Sequence, residues 1–256
     1  MEPADGQVSG GLKLLWRGER LYTLHAGTYL LLMVVAVLAL VLMSLFLFFM
    51  IAPDLPGKSL RQVWMGMGPL QELGVIAMFL GSLAVFYRAL AASMLATSEF
   101  SERREIGAIQ AFRRVRWKHT RLFWLMMVAM FFGPFAPFIA LIVGFFFASA
   151  FPPAVVEDLG AFQALKRGEK LASGNQLRIG TIYVTYLAAL AGVGLGIVKA
   201  LVFVQEHLQS AWYKRSVPAI GYLAFFTVVQ WYMIVLTLNY LQQRRKLTES
   251  QLPVAM

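Results

Sequence analysis

Long apolar stretches separated by short basic segments dominate the chain. Gly27 to Ala52 and Pro218 to Leu241 contain no charged residue, and Ile179 to Val204 contains only Lys199. About 20 helical residues cross a hydrocarbon core of roughly 30 Å, so each stretch is long enough to span a membrane. Leu70 to Ala96 is a further stretch of this kind. We therefore predict membrane spans over residues 28–51, 70–96, 179–204 and 218–241.

A further apolar region, residues 122–153, is ambiguous in length. As a single helix it would be about 45 Å long, which is too long for one upright span and short for two. The sequence Gly133-Pro134-Phe135-Ala136-Pro137 interrupts it, and two prolines beside a glycine favour a kink or a reversal of the chain. The region is therefore either one kinked span or a tight or re-entrant hairpin over residues 121–153.

The distribution of Lys and Arg favours the hairpin. With a hairpin the chain has about six spans and both termini inside, and the inner side holds 18 of the 23 Lys and Arg residues. With one kinked span the split becomes 14 to 9. Because cytoplasmic loops are enriched in Lys and Arg, we prefer six spans with the N and C termini in the cytoplasm.

Three short basic segments resemble one another. They read GGLKLLWRGERL at residues 10–21, GAIQAFRRVRWK at residues 107–118 and GAFQALKRGEKL at residues 160–171. We predict amphipathic interfacial helices over residues 10–22, 107–119 and 160–173, with apolar sides in the acyl boundary and cations toward lipid phosphates. Chance similarity among basic juxtamembrane helices is the alternative to a true internal repeat.

Composition narrows the class of partner. The chain is 59% hydrophobic and only 14% charged, which favours a lipid-embedded protein over a soluble domain. The net charge of +10 would suggest nucleic acid in a soluble protein, but here we expect the anionic inner leaflet of a membrane as partner and no nucleic acid. The chain has no cysteine, which excludes disulfides and thiolate ligands.

The basic segments and their flanks hold the candidate contacts for lipid or a partner protein. Glu157 precedes the third segment, where a carboxylate favours a helix N-terminus, and an ion pair with a cation of the first or second segment is the alternative. Within the spans, Gln230 and Asn239 are candidate polar contacts, and hydrogen bonding between helices is their expected role. The lipid or partner candidates are Arg17, Arg113, Arg114, Glu157, Lys166, Arg167 and Asn175.

Candidate catalytic chemistry is sparse. The three histidines stand singly along the chain, so a metal site is not expected. Glu157 and Asp158 are adjacent, and adjacent side chains point apart on a helix, which argues against an acid–base dyad. We predict no catalytic residue, no metal and no cofactor.

Residues 151–180, FPPAVVEDLGAFQALKRGEKLASGNQLRIG, resemble the signature of the membrane domain associated with bacterial glycerophosphodiester phosphodiesterases and its stand-alone relatives. The tail LNYLQQRRK is similar to that family's closing tyrosine and arginines. The resemblance implies a six-span architecture more than an activity. The family usually has serine where Gly168 stands and an aromatic residue where Gln176 stands. The matched positions are Pro153, Glu157, Gly160, Ala164, Leu165, Arg167, Leu171, Gly174, Asn175, Tyr240, Arg244 and Arg245.

These patterns lead to one expected class of protein. We expect an all-α, polytopic membrane helix bundle of about six spans that forms one domain over residues 1–256. The expected function is that of a non-enzymatic integral protein of the bacterial cytoplasmic membrane, acting as a lipid-interacting scaffold or accessory subunit. One alternative is the permease subunit of an exporter driven by a partner ATPase, and another is an intramembrane enzyme acting on lipid.

Overall fold

The computed structural model of the chain describes residues 4–51, 66, 68–119, 121–122, 124–125, 148–207 and 211–251. Within these residues every regular element is a helix and no strand occurs, which confirms the all-α prediction. In chain order the elements are α1 (Ala4–Leu24), α2 (Ala26–Ile51), α3 (Pro69–Ser101), α4 (Ala108–Arg114), a 3₁₀ turn (Trp117–His119), α5 (residues 148–156), α6 (Ala161–Ala172), α7 (Gln176–His207) and α8 (Ala211–Gln251).

Four helices, α2, α3, α7 and α8, are long and apolar enough to cross a membrane by length and composition. They coincide with the four predicted spans, although α3 continues to Ser101 and α8 continues to Gln251. Neither extension contains Gly or Pro, so no helix breaker stops the helix where the apolar run stops. The remaining spans of the six-span prediction rest on the hairpin over residues 121–153, whose Gly133–Pro137 turn lies outside the described residues.

The short helices gather at one end of the bundle. Arg114 of α4 pairs with Glu99 near the end of α3 at 3.1 Å, and Asn175, after α6, donates a hydrogen bond to Gln243 near the end of α8 at 3.0 Å. His119 Nε2 lies 2.8 Å from Asp158 Oδ1, so residues on either side of the stretch 126–147 also meet here. We call this end, with α1, α4, α6 and the adjoining ends of the long helices, the basic end.

Helix α8 is central among the described helices and α7 is peripheral. Within the apolar part of each candidate span, 67% of the α8 residues are buried inside the protein, but only 6% of the α7 residues are. α1 lies against both helices: Gly11 approaches Thr181 of α7, and Gly18 approaches Val235 of α8. The first basic segment is therefore part of a longer helix that packs on protein.

The three predicted interfacial helices differ in extent. α6 agrees with the prediction for residues 160–173, because Gly160 caps its N-terminus and Gly174 follows its end at φ +85°. α4 is shorter than predicted and ends at Arg114, since Val115 is extended and its side chain is buried. The second segment is thus a short helix and a separate 3₁₀ turn, not one helix over residues 107–119.

The sequence predicts that the apolar sides of these helices rest in lipid. This is wrong for the apolar faces of α6 and α1, which are buried against other helices of the protein. Ala164, Gly168 and Leu171 of α6 are buried within the protein, as are Leu14 and Leu15 of α1. The physical reason is that the ends of the long helices and α5 already offer an apolar surface at this level. The short helices bury their apolar stripes there and leave their outer faces uncovered.

Replacing Gly168 by alanine tests the close crossing of α6 and α5. A Cβ at position 168 would lie 2.8 Å from the Ser149 carbonyl oxygen, so one helix must shift. We expect the free energy of unfolding to fall by about 1–3 kcal/mol, measured by denaturation in mild detergent. Gly180→Ala is the control, because a Cβ there meets nothing within 4 Å, and it should be neutral or slightly stabilising. Equal stability of the two variants would contradict the crossing.

Candidate functional site at the basic end

Two adjacent carboxylates lie in the turn between α5 and α6, and we call Glu157 and Asp158 the acidic node. The α5 helix stops at residue 156, and Asp158 adopts the left-handed conformation at φ 54°. This conformation is uncommon outside glycine but is tolerated by Asp. The turn of the backbone at Asp158 lets the two neighbouring carboxylates contact different parts of the chain.

Glu157 binds α6 and the end of α8. Arg167 donates to its carboxylate through Nε at 3.2 Å and Nη2 at 3.1 Å, which is a bidentate contact. The Tyr240 hydroxyl also donates to Glu157, and Arg244 Nε lies 3.7 Å away. The alternative considered for Glu157, an ion pair with the first or second basic segment, is not found among the described residues. Its cations come from the third segment and from the tail.

Asp158 binds the second basic segment. Its carboxylate accepts contacts from Arg116 at 3.1 Å, Lys118 at 2.7 Å and His119 at 2.8 Å. Lys118 Nζ also donates to the Asp158 carbonyl oxygen at 2.6 Å. The node therefore joins the second segment, the third segment and the tail, which are far apart in sequence.

The electrostatics of the node keep both carboxylates ionised. Burial acts to raise the pKa of Glu157, but hydrogen bonds from Tyr240 and Arg167 and the charges of Arg167 and Arg244 outweigh it and lower the pKa. Burial also acts to raise the pKa of Asp158, and its bonds to Lys118 and His119 lower it overall. Burial lowers the pKa of His119 despite the Asp158 charge, so a neutral imidazole donates its Nε2–H at pH 7.

Further contacts hold α4 against α3. Arg114 pairs with Glu99, whose carboxylate also lies 3.7 Å from Arg104. The Arg88 guanidinium lies over the Phe112 ring at 4.8 Å and the Trp117 ring at 5.1 Å, in cation–π geometry. Arg114 is thus engaged within the protein, and the second segment is fixed from two directions.

Asn175 and Asn239 lie where α6 and α7 meet α8. Asn175 donates to Gln243 Oε1, and Asn239 is buried beside a cavity of about 20 Å³ that Gly168 and Gln243 also line. That volume holds about one water molecule. Asn175 therefore serves a contact inside the basic end, whereas Asn239 Oδ1 is buried with no hydrogen-bond partner among the described residues.

Gln230 sits in a buried polar cluster that joins three long helices. Its Nε2 donates to the Tyr29 carbonyl oxygen of α2 at 2.9 Å and to Ser93 Oγ of α3 at 2.8 Å. The Tyr29 hydroxyl shares a 2.9 Å hydrogen bond with Thr97. The expected hydrogen bonding of Gln230 between helices is confirmed, and it contributes to packing in the low-dielectric core.

The outer faces of the short helices combine cations with large apolar side chains. Arg17, Arg113 and Lys166 are exposed and make no ion pair with any described residue. Close to them in sequence, the uncovered apolar side chains are Trp16 at 74%, Ile109 at 64% and Phe162 at 80% exposure. Each basic segment therefore presents a charged and an apolar group together on its outer face.

Asp158, the second carboxylate of the node, and its partners Arg116, Lys118 and His119 are not predicted from the sequence. The sequence argument against a dyad places Asp158 beside Glu157 on a helix, whereas the helix ends before both residues. The two side chains do point apart, but each toward its own set of cations. His119 stands alone in sequence and meets Asp158 only through the fold. The one signal available was an isolated acidic pair in a basic region.

No family profile, curated protein or solved structure matches this chain. The resemblance to the phosphodiesterase-associated membrane domain therefore stays a prediction. Among the positions that carry the resemblance, Glu157 contacts Arg167 of the same motif and Tyr240 and Arg244 of the tail.

Acidification is expected to weaken the node in two stages. The pKa of His119 in the folded protein lies below its ordinary 6.5. Between the folded pKa and 6.5 the unfolded chain binds more protons than the folded chain, so the free energy of unfolding falls as pH falls through this range. Glu157 and Asp158 have folded pKa values below their ordinary 4.5 and 3.8. They add stability that is present above those values and is lost as pH falls through the folded ones.

The unfolding midpoint in detergent, measured at several pH values, tests this. His119→Gln can still donate to Asp158 but does not titrate, so it should remove the first stage and leave the second. A wild-type midpoint that does not change on acidification is incompatible with the node.

Proposed function

We propose that this protein is a non-enzymatic, lipid-interacting scaffold or accessory subunit of a bacterial cytoplasmic membrane. Its basic end faces the cytoplasm, and the outer faces of its short helices rest on the inner leaflet. The observation that carries the proposal is the pairing of uncovered cations with uncovered apolar side chains, Arg17 with Trp16, Arg113 with Ile109 and Lys166 with Phe162. Such mixed faces suit a headgroup boundary, where apolar groups enter the acyl region and cations meet phosphate.

The charge distribution supports this orientation. The basic end holds the cations of all three basic segments and of the tail, and Lys199 of α7 lies far along the chain from it. Since cytoplasmic flanks of spans are enriched in Lys and Arg, the basic end is the cytoplasmic one.

The contact between His119 and Asp158 supports the hairpin interpretation of residues 121–153. One span between these two residues would put them on opposite sides of the membrane, whereas they lie 2.8 Å apart. A chain that leaves and returns at the same end crosses an even number of times or enters only part of the way. This favours six spans or near-spans with both termini inside.

The acidic node supports a scaffold in preference to an enzyme. Both of its carboxylates are engaged with several basic groups, which fixes α4 and α6 against the long helices. A general acid or base needs a carboxyl group free to exchange a proton with substrate near neutral pH. The lowered pKa values of Glu157 and Asp158 instead suit permanent ion pairing.

Cysteine labelling in intact cells tests the orientation, because the chain has no native cysteine. Lys166→Cys places a thiol on the outer face of α6. Lys58→Cys places one in the sequence between the predicted spans 28–51 and 70–96, on the side of the membrane opposite to the basic end. A membrane-impermeant maleimide should label the second variant in intact cells, and the first only after permeabilisation. Labelling of Lys166→Cys in intact cells would contradict the proposed orientation, and therefore also the proposed contact with the inner leaflet.

A further inference from the structure

A cleft at the basic end brings together cations from two helices. It has a volume of about 240 Å³ and lies between α1, the end of α3 and the end of α8. Leu238 and Leu241 are buried and form its apolar floor. The lining residues are Arg17, Ser101, Leu238, Leu241, Gln242, Arg245 and Lys246.

No Asp or Glu is among the described residues that line this cleft. The nearest acids along α3 and its end, Glu99 and Glu102, pair with Arg114 and Arg104. Arg17 and Arg245 are exposed, and neither makes an ion pair with a described residue. Like charges that share a concave site repel one another, and an anion between them relieves this repulsion.

Neighbouring arginines of the tail have different roles in this arrangement. Arg244 turns toward Glu157, with Nε at 3.7 Å, and belongs to the acidic node. Arg245 follows Leu238, Leu241 and Gln242 on the helix face that lines the cleft. Only the second arginine is therefore placed to meet a ligand from outside.

The size and donors of the cleft suit a phosphate group. Two guanidinium groups offer planar sets of N–H donors that match phosphate oxygens. Ligand pockets for drug-sized molecules occupy about 300–1,000 Å³, so this cleft holds a phosphate and a small substituent.

A second surface next to the cleft indicates that the phosphate is attached to a lipid. Arg17 also lines an open groove along α1, where Trp16, Leu21 and Leu24 provide apolar surface. Trp16 and Leu24 are exposed, and Trp is typical of the headgroup level. A phosphate in the cleft would therefore leave its glycerol and acyl groups along this apolar groove.

We propose that the cleft formed by Arg17, Arg245 and the floor of Leu238 and Leu241 binds the phosphate of one anionic phospholipid, with the lipid body along α1. This rests on the proposed function and adds a defined, saturable site to a general attraction between basic helices and an anionic leaflet.

Native mass spectrometry of the detergent-solubilised full chain tests the site. Phosphatidylglycerol is titrated against the wild type, with phosphatidylcholine as the zwitterionic comparison. We expect one phosphatidylglycerol to be retained selectively, and Arg17→Gln with Arg245→Gln to weaken its binding by about tenfold or more. Arg17→Lys with Arg245→Lys keeps the charge and should retain part of the binding. Lys13→Gln with Lys170→Gln removes the same charge from exposed positions that line neither the cleft nor the groove, and should change binding by less than about twofold.

The other outcomes separate the cleft from the proposed function. Equal weakening by the two glutamine pairs would overturn the cleft and leave a diffuse attraction to anionic lipid in place. No preference of the wild type for phosphatidylglycerol would overturn both. Displacement of the lipid by an equal concentration of inorganic phosphate would assign the cleft to a free phosphate and overturn the lipid as its occupant.

Discussion

Two carboxylates, Glu157 and Asp158, counter the repulsion among the cations gathered at one end of this bundle. The chain carries 23 Lys and Arg residues and only 13 Asp and Glu residues, so segments of like charge must meet wherever the short helices converge. At the node each carboxylate accepts charge-assisted hydrogen bonds from several basic groups, with Glu157 partly buried and Asp158 exposed. Without these two charges, the second segment, the third segment and the tail would repel one another.

The positions of the short helices follow from this constraint. Arg167 holds α6 to the node from one side and Lys118 holds the second segment from the other, so the remaining cations are turned outward. Apolar stripes that would otherwise enter lipid are buried on the ends of the long helices, where Gly168 permits a backbone approach. The outer faces that remain, with exposed cations beside exposed aromatic and aliphatic side chains, are the surfaces that the proposed function assigns to the leaflet.

Local patterns predicted the helices well, and contacts between distant segments less well. The four long apolar helices and the extent of α6 follow from hydropathy, from Gly160 and from Gly174. An amide in an apolar helix needs a hydrogen-bond partner, so the sequence predicts a contact for Gln230, but it does not specify the partners on α2 and α3. The pairing of Asp158 with the second segment joins residues about 40 positions apart, and no local propensity encodes it.

A double-mutant cycle between Glu157 and Arg167 tests the acidic node most directly. Glu157→Gln, Arg167→Gln and the double variant are compared with the wild type by unfolding in detergent, and Glu157 with exposed Lys166 provides the control cycle. We expect the first pair to be coupled by about 1 kcal/mol and the control pair to be additive. Additive losses for Glu157 and Arg167 would contradict the claim that the node holds the basic end together.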